Sequence, residues 1–446
     1  MIDGCRARLD VRCSFFVTGW RVRLHEMVET RKVYLDHSAT TPVDRRVIEA
    51  MLPYLTERFG NASSVHSFGQ EARAAVDRAR REVASLIGAR ANEIVFVSGG
   101  TEANNLAIRG LADATLARAS NKSSAGKGHV ITSAIEHSSV RGILEDLEKR
   151  GWQITRLPVY GDGIIRVEDL RAALNPETVL ISVMLANNEI GTIQPIDEIG
   201  ALVREERARG RHLWLHTDAV QAAGRIPVDV EALGCDLLAL SAHKLYAPKG
   251  AGALFVRRGV RLNPQILGGH QERERRAGTE NVPAIVGLGA AAKLARDEME
   301  QRSQHDALLR DRFEAGVTEC IEEIVFNGRP GRRLPHLSNI SFRFIQGEGL
   351  LISLDLQGVA VSTGSACSSG TLEPSPVIRA LGRDDELARG AIRFSFGKDN
   401  TEEDVDYVIH VLVEVVERLR RLSPLSAKER RPGQAHLPDH ELIKVS

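Results

Sequence analysis

The feature that most limits what this chain can become is an alternation between short apolar runs and stretches of helical periodicity. Val76, Ala79, Val83 and Leu86 recur at the spacing of one helix face, and Gly88 ends the pattern. Ile94 to Val97 follows as a short apolar run, broken by Gly99-Gly100 and succeeded by a helical stretch from Glu102. Further strand-like runs stand at 129–133, 179–185, 212–216, 237–240 and 252–256. Strands separated by helices predict a parallel sheet covered on both faces, an α/β architecture.

Beyond about residue 300 the character changes. A charged helical stretch covers 298–317, followed by apolar runs at 339–344, 350–356 and 391–396. A last helix opens at Thr401 with Asp404 as its capping partner and carries Val405, Val408, Leu412, Val416 and Leu419 on one face. This reads as a smaller α+β domain. The expected organisation is an extension over 1–26, a large domain over 33–300 whose first residues pack with the small domain, the small domain over 301–423, and a solvated tail over 424–446. Residues 119–128 are rich in Ser, Ala, Lys and Gly and read as a surface loop.

Charge excludes several classes of partner. Lys plus Arg and Asp plus Glu both number 59, so no net positive field draws nucleic acid or anionic lipid. No apolar run approaches the roughly 18 residues of a membrane span. Neither nucleic acid nor membrane is an expected partner. The five cysteines, at 5, 13, 235, 320 and 367, form no CxxC pair, which argues against a disulfide framework or structural zinc and for a reducing, cytoplasmic setting. The first 26 residues are Arg-rich, yet Asp3, Asp10 and Glu26 do not suit a transit peptide. They read as a weakly ordered extension, with Met27 as an alternative start.

Four segments carry chemistry. Ser98-Gly99-Gly100-Thr101-Glu102 joins a strand to a helix, where glycines admit close approach and free N–H groups face an anion; an ordinary βα turn would look the same. Ser241-Ala242-His243-Lys244 ends a buried strand, so Lys244 either condenses with an aldehyde or snorkels to water. His216-Thr217-Asp218-Ala219-Val220-Gln221 also lies at a strand end. There Asp218 either pairs with a protonated ring nitrogen or caps a helix. Residues 362–370 hold Cys367 among small and hydroxyl-bearing neighbours, the setting of an exposed thiol rather than a core one.

Together these segments resemble the pyridoxal-phosphate cysteine desulfurases of the NifS/IscS type, within the class-V aminotransferases, over about residues 33–423. Tyr34-Leu35-Asp36 with Ala39-Thr40-Thr41-Pro42, Glu136-His137, Asn187-Asn188-Glu189-Ile190-Gly191, Arg276-Ala277-Gly278-Thr279 and Ile392-Arg393-Phe394-Ser395 extend the likeness in the same order. The resemblance implies a fold-type I transferase with a mostly parallel, seven-stranded type of sheet and a smaller α+β domain. It implies removal of sulfur from L-cysteine, giving L-alanine and a persulfide on Cys367. The sulfur would pass to an acceptor protein such as an iron–sulfur scaffold, for cluster assembly, tRNA thiolation or both.

Roles follow by position. Lys244 would bond the cofactor, Asp218 pair with the pyridine nitrogen, and Gln221 and Asn188 flank the ring hydroxyl. His137 would stack on the ring and move protons, as the nearest base. Gly100, Thr101, Ser241 and His243 would hold the phosphate, with Thr279 contributed by the partner of a homodimer. Arg393, with Asn188, would bind the substrate, a planar fork matching a carboxylate. Cys367 would be the nucleophile and a transient ligand of a scaffold-bound [2Fe–2S] cluster. The chain departs from the family at Gly268-Gly269-His270-Gln271-Glu272-Arg273-Glu274, where His270 and Glu274 replace frequent glycines. A selenocysteine lyase or aminotransferase on the same fold could keep Lys244 without needing Cys367. A catalytically quiet binding platform would need neither.

Overall fold

A computed structural model describes residues 31–119, 128–328, 331–363 and 374–423 of the 446-residue chain. In chain order its strands are β1 (Val33–Tyr34), β2 (Ile94–Val97), β3 (His129–Ser133), β4 (Gln153–Leu157), β5 (Thr178–Ser182), β6 (Trp214–Asp218), β7 (Leu237–Ser241), β8 (Gly252–Val256), β9 (Ile324–Phe326), β10 (Leu337–Phe342), β11 (Val359–Ala360) and β12 (Ala391–Ser395).

The central sheet has the order β2-β8-β7-β6-β5-β3-β4. Pairing is parallel from β4 through β3, β5 and β6 to β7, while β8 runs antiparallel to both β7 and β2. One strand is thus reversed within an otherwise parallel sheet. Apolar runs alone do not carry direction. Both faces are covered, as the unbroken runs require: Ile94 and Phe96 enter one core, Val95 and Val97 the other. Helix Ser67–Leu86 covers the first face, and helices Gly100–Ala119 and Ser138–Lys149 cover the second.

A second core gathers around the antiparallel sheet β12-β10-β9. Helix Glu402–Leu422 seals it with Val405, Val408, Leu412 and Val416, and Thr401 and Asp404 cap each other's backbone at its start. Val33 and Leu35 join this core, and β1 pairs with β11. The run at 350–356 is not a strand: it belongs to helix Gly347–Asp355, whose Leu350 and Leu354 point inward one turn apart. The charged helix begins well before residue 298. It runs unbroken over Val282–Cys320, capped by Asn281 with Pro283 in its first turn. Its first half is rich in Gly and Ala because it lies close to helix Ser67–Leu86. A side chain on Gly289 would meet the Ala79 Cα at 2.5 Å, and small residues leave no amphipathic stripe to read. The same helix supplies Leu288 and Ala292 to the first core and Phe313 and Val317 to the second. Among the described residues, no helix is long and apolar enough to cross a membrane.

Candidate active site

Ligands of open α/β sheets bind beyond the carboxyl ends of the strands. There the chain encloses a cavity of about 290 Å³. Gly100, Thr101, His137, Asn188, Asp218, Gln221, Ser241, His243, Lys244 and Arg393 all line it.

Strand β7 is buried along its length, and the single 3₁₀ turn Ala242–Lys244 carries the lysine off its end. Lys244 turns into the cavity, where Nζ donates to the carbonyl oxygens of Ser38 and, at 2.6 Å, of Ala39. Gln221 Nε2 donates to the same Ser38 oxygen at 2.9 Å. Asp218 ends β6 and is nearly buried. Its Oδ1 accepts from the Val220 N–H at 2.9 Å and its Oδ2 from Asn104 Nδ2 at 2.8 Å. One oxygen thus caps a turn rather than a helix, and the carboxylate lines the cavity.

His137 caps helix Ser138–Lys149, with Nδ1 accepting from the Ser139 N–H at 3.2 Å. Burial lowers its pKa, against the opposing pull of Asp218. Its neighbour Glu136 is fully buried and pushed up to about 8, chiefly by that burial. Glu136 Oε1 accepts from Ser133 Oγ at 2.6 Å and from the Met184 N–H at 2.9 Å.

The opposite end of the cavity suits a phosphate. Helix Gly100–Ala119 begins at Gly100, and first-turn N–H groups have no acceptor within a helix. A Cβ on Gly100 would stand 2.9 Å from Val220 Cγ2 and 3.4 Å from Ser241 Cβ, so only glycine leaves this floor open. Ser241 and His243 close the side. Burial, then Lys244 and Lys249, lowers the His243 pKa to about 4. His243 Nδ1 lies 3.2 Å from Thr40 Oγ1.

Arg393, on β12, brings the second core to the cavity. Its guanidinium is buried, with Nη1 donating to the Asn188 carbonyl at 2.9 Å and Nη2 to Asp36 Oδ1 at 2.7 Å. Nε is buried with no partner among the described residues. The donor set is an amine at a strand end, a carboxylate opposite, a helix N-terminus with hydroxyls, and a guanidinium. It fits pyridoxal phosphate together with an amino-acid carboxylate.

Thr279 lies elsewhere, on the wall of a second cavity of about 260 Å³ with Ser98, Arg276 and Glu280. Cys367 falls outside the described residues, so neither its nucleophilic role nor its metal role is visible. No metal-binding group of His, Cys, Asp and Glu exists among the described residues. At the departure from the family's glycines, Glu272, Arg273 and Glu274 all hold positive φ, at 46°, 57° and 64°. Glu272 offsets this strain by pairing with Arg80 through both oxygens at 2.7 Å and accepting from the Phe96 N–H. His270 has an ordinary backbone, with φ at −89°.

Several residues that shape the cavity were given no role from the sequence. Asp36 aligns Arg393, the Ser38 and Ala39 carbonyls hold Lys244, and Asn104 and Ser139 connect Asp218 to His137. Ser362 pairs with Arg393 through the backbone in both directions.

Comparison with known proteins places this arrangement among relatives. The aminotransferase class-V family matches residues 33–408. Cysteine desulfurase IscS of Dictyoglomus turgidum is 50% identical over 394 residues, 88% of this chain and 97% of the relative. Cysteine desulfurase IscS of Methanosarcina thermophila is 49% identical over 403 residues, 90% and 96% of the two chains. A solved NifS-like protein superposes with a TM-score of 0.80 at 35% identity, covering 87% of this chain and all of its own.

Proposed function

Because this chain belongs to the class-V aminotransferase family, and matches its cysteine desulfurases almost end to end, we infer that it works as a pyridoxal-phosphate cysteine desulfurase. The observation that carries the reading is one cavity holding Lys244, just beyond β7, with Asp218 of β6 and Arg393 of β12, from two sheets. Bound pyridoxal phosphate supplies an electrophilic aldehyde and an electron sink.

The chain's own residues do the rest. Lys244 presents its amine, fixed by the Ser38 and Ala39 carbonyls, to the aldehyde. Asp218 holds a negative charge for the ring nitrogen, with Gln221 and Asn188 beside the ring hydroxyl. Gly100, Thr101, Ser241 and His243 hold the phosphate, and Thr279 adds to the phosphate site of a neighbouring subunit. Arg393 binds the substrate carboxylate through its fork, and His137 moves protons above the ring. The Cys367 thiolate attacks the sulfur of bound L-cysteine; the S–S bond forms as the S–C bond breaks, its electron pair goes to carbon, and that carbon takes up a proton to become the methyl group of alanine. The sulfur leaves on Cys367 as a persulfide and L-alanine is released. An acceptor protein then collects that sulfur, an iron–sulfur scaffold being the kind of acceptor meant.

A homodimer is the form we propose. Phe59 and Phe68 are exposed rings with centroids 5.8 Å apart, Val65 and Leu267 are exposed apolar side chains as well, and exposed apolar surface suits an interface. Incubation with L-cysteine and a reducing thiol should release alanine and sulfide in equal amounts. Alanine without sulfide, or neither product, would overturn the reading.

A further inference from the structure

We propose that Asn104 is a positioning residue for this reaction: one buried amide holds the Asp218 carboxylate and, through Ser139, keeps the proton of neutral His137 on Nε2. The inference rests on the desulfurase reading of the cavity and deepens it.

Asn104 is fully buried, one turn into the helix that starts at the phosphate floor. Its Nδ2 has two hydrogens and two acceptors, Asp218 Oδ2 at 2.8 Å and Ser139 Oγ at 2.9 Å. A carboxylate only accepts, so the amide must face it with nitrogen rather than oxygen. Asn104 Oδ1 lies buried without a partner among the described residues. Leu, with the same branching, has no polar atoms to desolvate there, so the amide is present for its donors.

The second hydrogen orients the Ser139 hydroxyl, which together with a backbone N–H sets the tautomer of His137. A backbone N–H can only donate, so the Ser139 N–H at 3.2 Å makes His137 Nδ1 an acceptor. Ser139 Oγ already receives Asn104, and its own hydrogen goes to Nδ1, 2.8 Å away. The neutral ring then carries its hydrogen on Nε2. Neutral His137 therefore has a hydrogen-bond donor at Nε2 rather than the free lone pair that its position alone suggests. The charged groups facing it are Asp218, Lys244, Arg141 and Arg393; burial does most to lower its pKa, the three cations add to that, and Asp218 opposes them.

Three full-length variants test the relay: Asn104→Asp, which keeps the shape and turns an oxygen toward Asp218, Asn104→Leu, and Ser139→Ala. The readouts are the dissociation constant of pyridoxal phosphate from the resolved protein and the pH profile of kcat with L-cysteine. Both Asn104 variants should loosen the cofactor about tenfold, the loss expected of one charge-assisted hydrogen bond. They should also move the His137 limb of the profile upward by about one pH unit, because donors to Nδ1 favour the neutral ring. Ser139→Ala should move that limb alike while leaving the cofactor constant within about twofold, since it does not touch Asp218. Unchanged constants and profiles in both Asn104 variants would reduce the residue to packing and overturn the proposal. A Ser139→Ala variant that loosens the cofactor as much as Asn104→Asp would overturn it too. If Asn104→Leu fails to fold, the other two decide. Failure of the desulfurase reading is separate: it would show as a wild-type protein that binds the cofactor but releases no alanine.

Discussion

Replacing Arg393 with lysine probes the substrate end of the cavity. The guanidinium is buried and already directs Nη1 to the Asn188 carbonyl and Nη2 to Asp36, which holds its plane in one orientation. Lysine keeps the charge but has no fork. It can reach Asp36 or the cavity, not both, and the Asn188 carbonyl loses its donor. A hydrogen bond between charged groups contributes about 1.5–3 kcal/mol, and each 1.4 kcal/mol is about tenfold in affinity. Arg393→Lys should therefore raise the KM for L-cysteine about ten- to a hundredfold, measured by alanine release. Product inhibition by L-alanine should weaken by the same factor, because alanine offers the same carboxylate. The cofactor's absorbance should be retained, since Arg393 lies away from the phosphate floor. A KM within twofold of wild type, in a protein that holds its cofactor, would remove Arg393 from the substrate site.

Other parts of the account can be tested independently. Borohydride reduction of the yellow holoprotein, followed by peptide mapping, should place the pyridoxyl label on Lys244; a label on Lys249 would refute the assignment. Glu136→Gln tests the buried acid. The folded pKa is raised to about 8 from 4.5, so the wild-type contribution is present below 4.5 and is lost as pH rises through 8. Over that window wild type should lose about 1.4 kcal/mol per pH unit relative to the glutamine variant, and melts at pH 6 and 8.5 with the same pH dependence would contradict this. Glu274→Gly should stabilise the protein by about 1 kcal/mol, because φ at 64° strains a side-chain-bearing residue; a lower melting temperature would show that the side chain matters more than the backbone.

Much of the fold was legible because its signals are local. The strands of the central sheet are buried on both faces and read as unbroken apolar runs, and Thr401 with Asp404 announced the last helix. What escaped depends on neighbours distant in sequence. The reversal of β8 is set by its pairing, not its composition. The run at 350–356 could pack as strand or helix until Leu350 and Leu354 met the second core. The early turns of helix Val282–Cys320 hid because close contact with Ala79 demands small residues. At the site, strand ends and glycines pointed to Lys244, Asp218 and Gly100. The residues that align them act through backbone carbonyls, as Ser38 and Ala39 do, or through buried amides, as Asn104 does. Neither leaves a periodic mark in a sequence.

The central claim is that sulfur from L-cysteine comes to rest on Cys367. Mass spectrometry of peptides after incubation with L-cysteine, without reductant, tests it most directly. Cys235 is fully buried, and burial pushes its thiol pKa well up, which disfavours the thiolate that must attack. Cys320 stands exposed at the end of helix Val282–Cys320, and it does not line the cavity. The added sulfur should map to Cys367 alone, and Cys367→Ala should bind L-cysteine yet carry no persulfide and release no alanine. A persulfide on Cys235 or Cys320, or normal alanine release by Cys367→Ala, would contradict the mechanism and favour a lyase that needs no protein thiol.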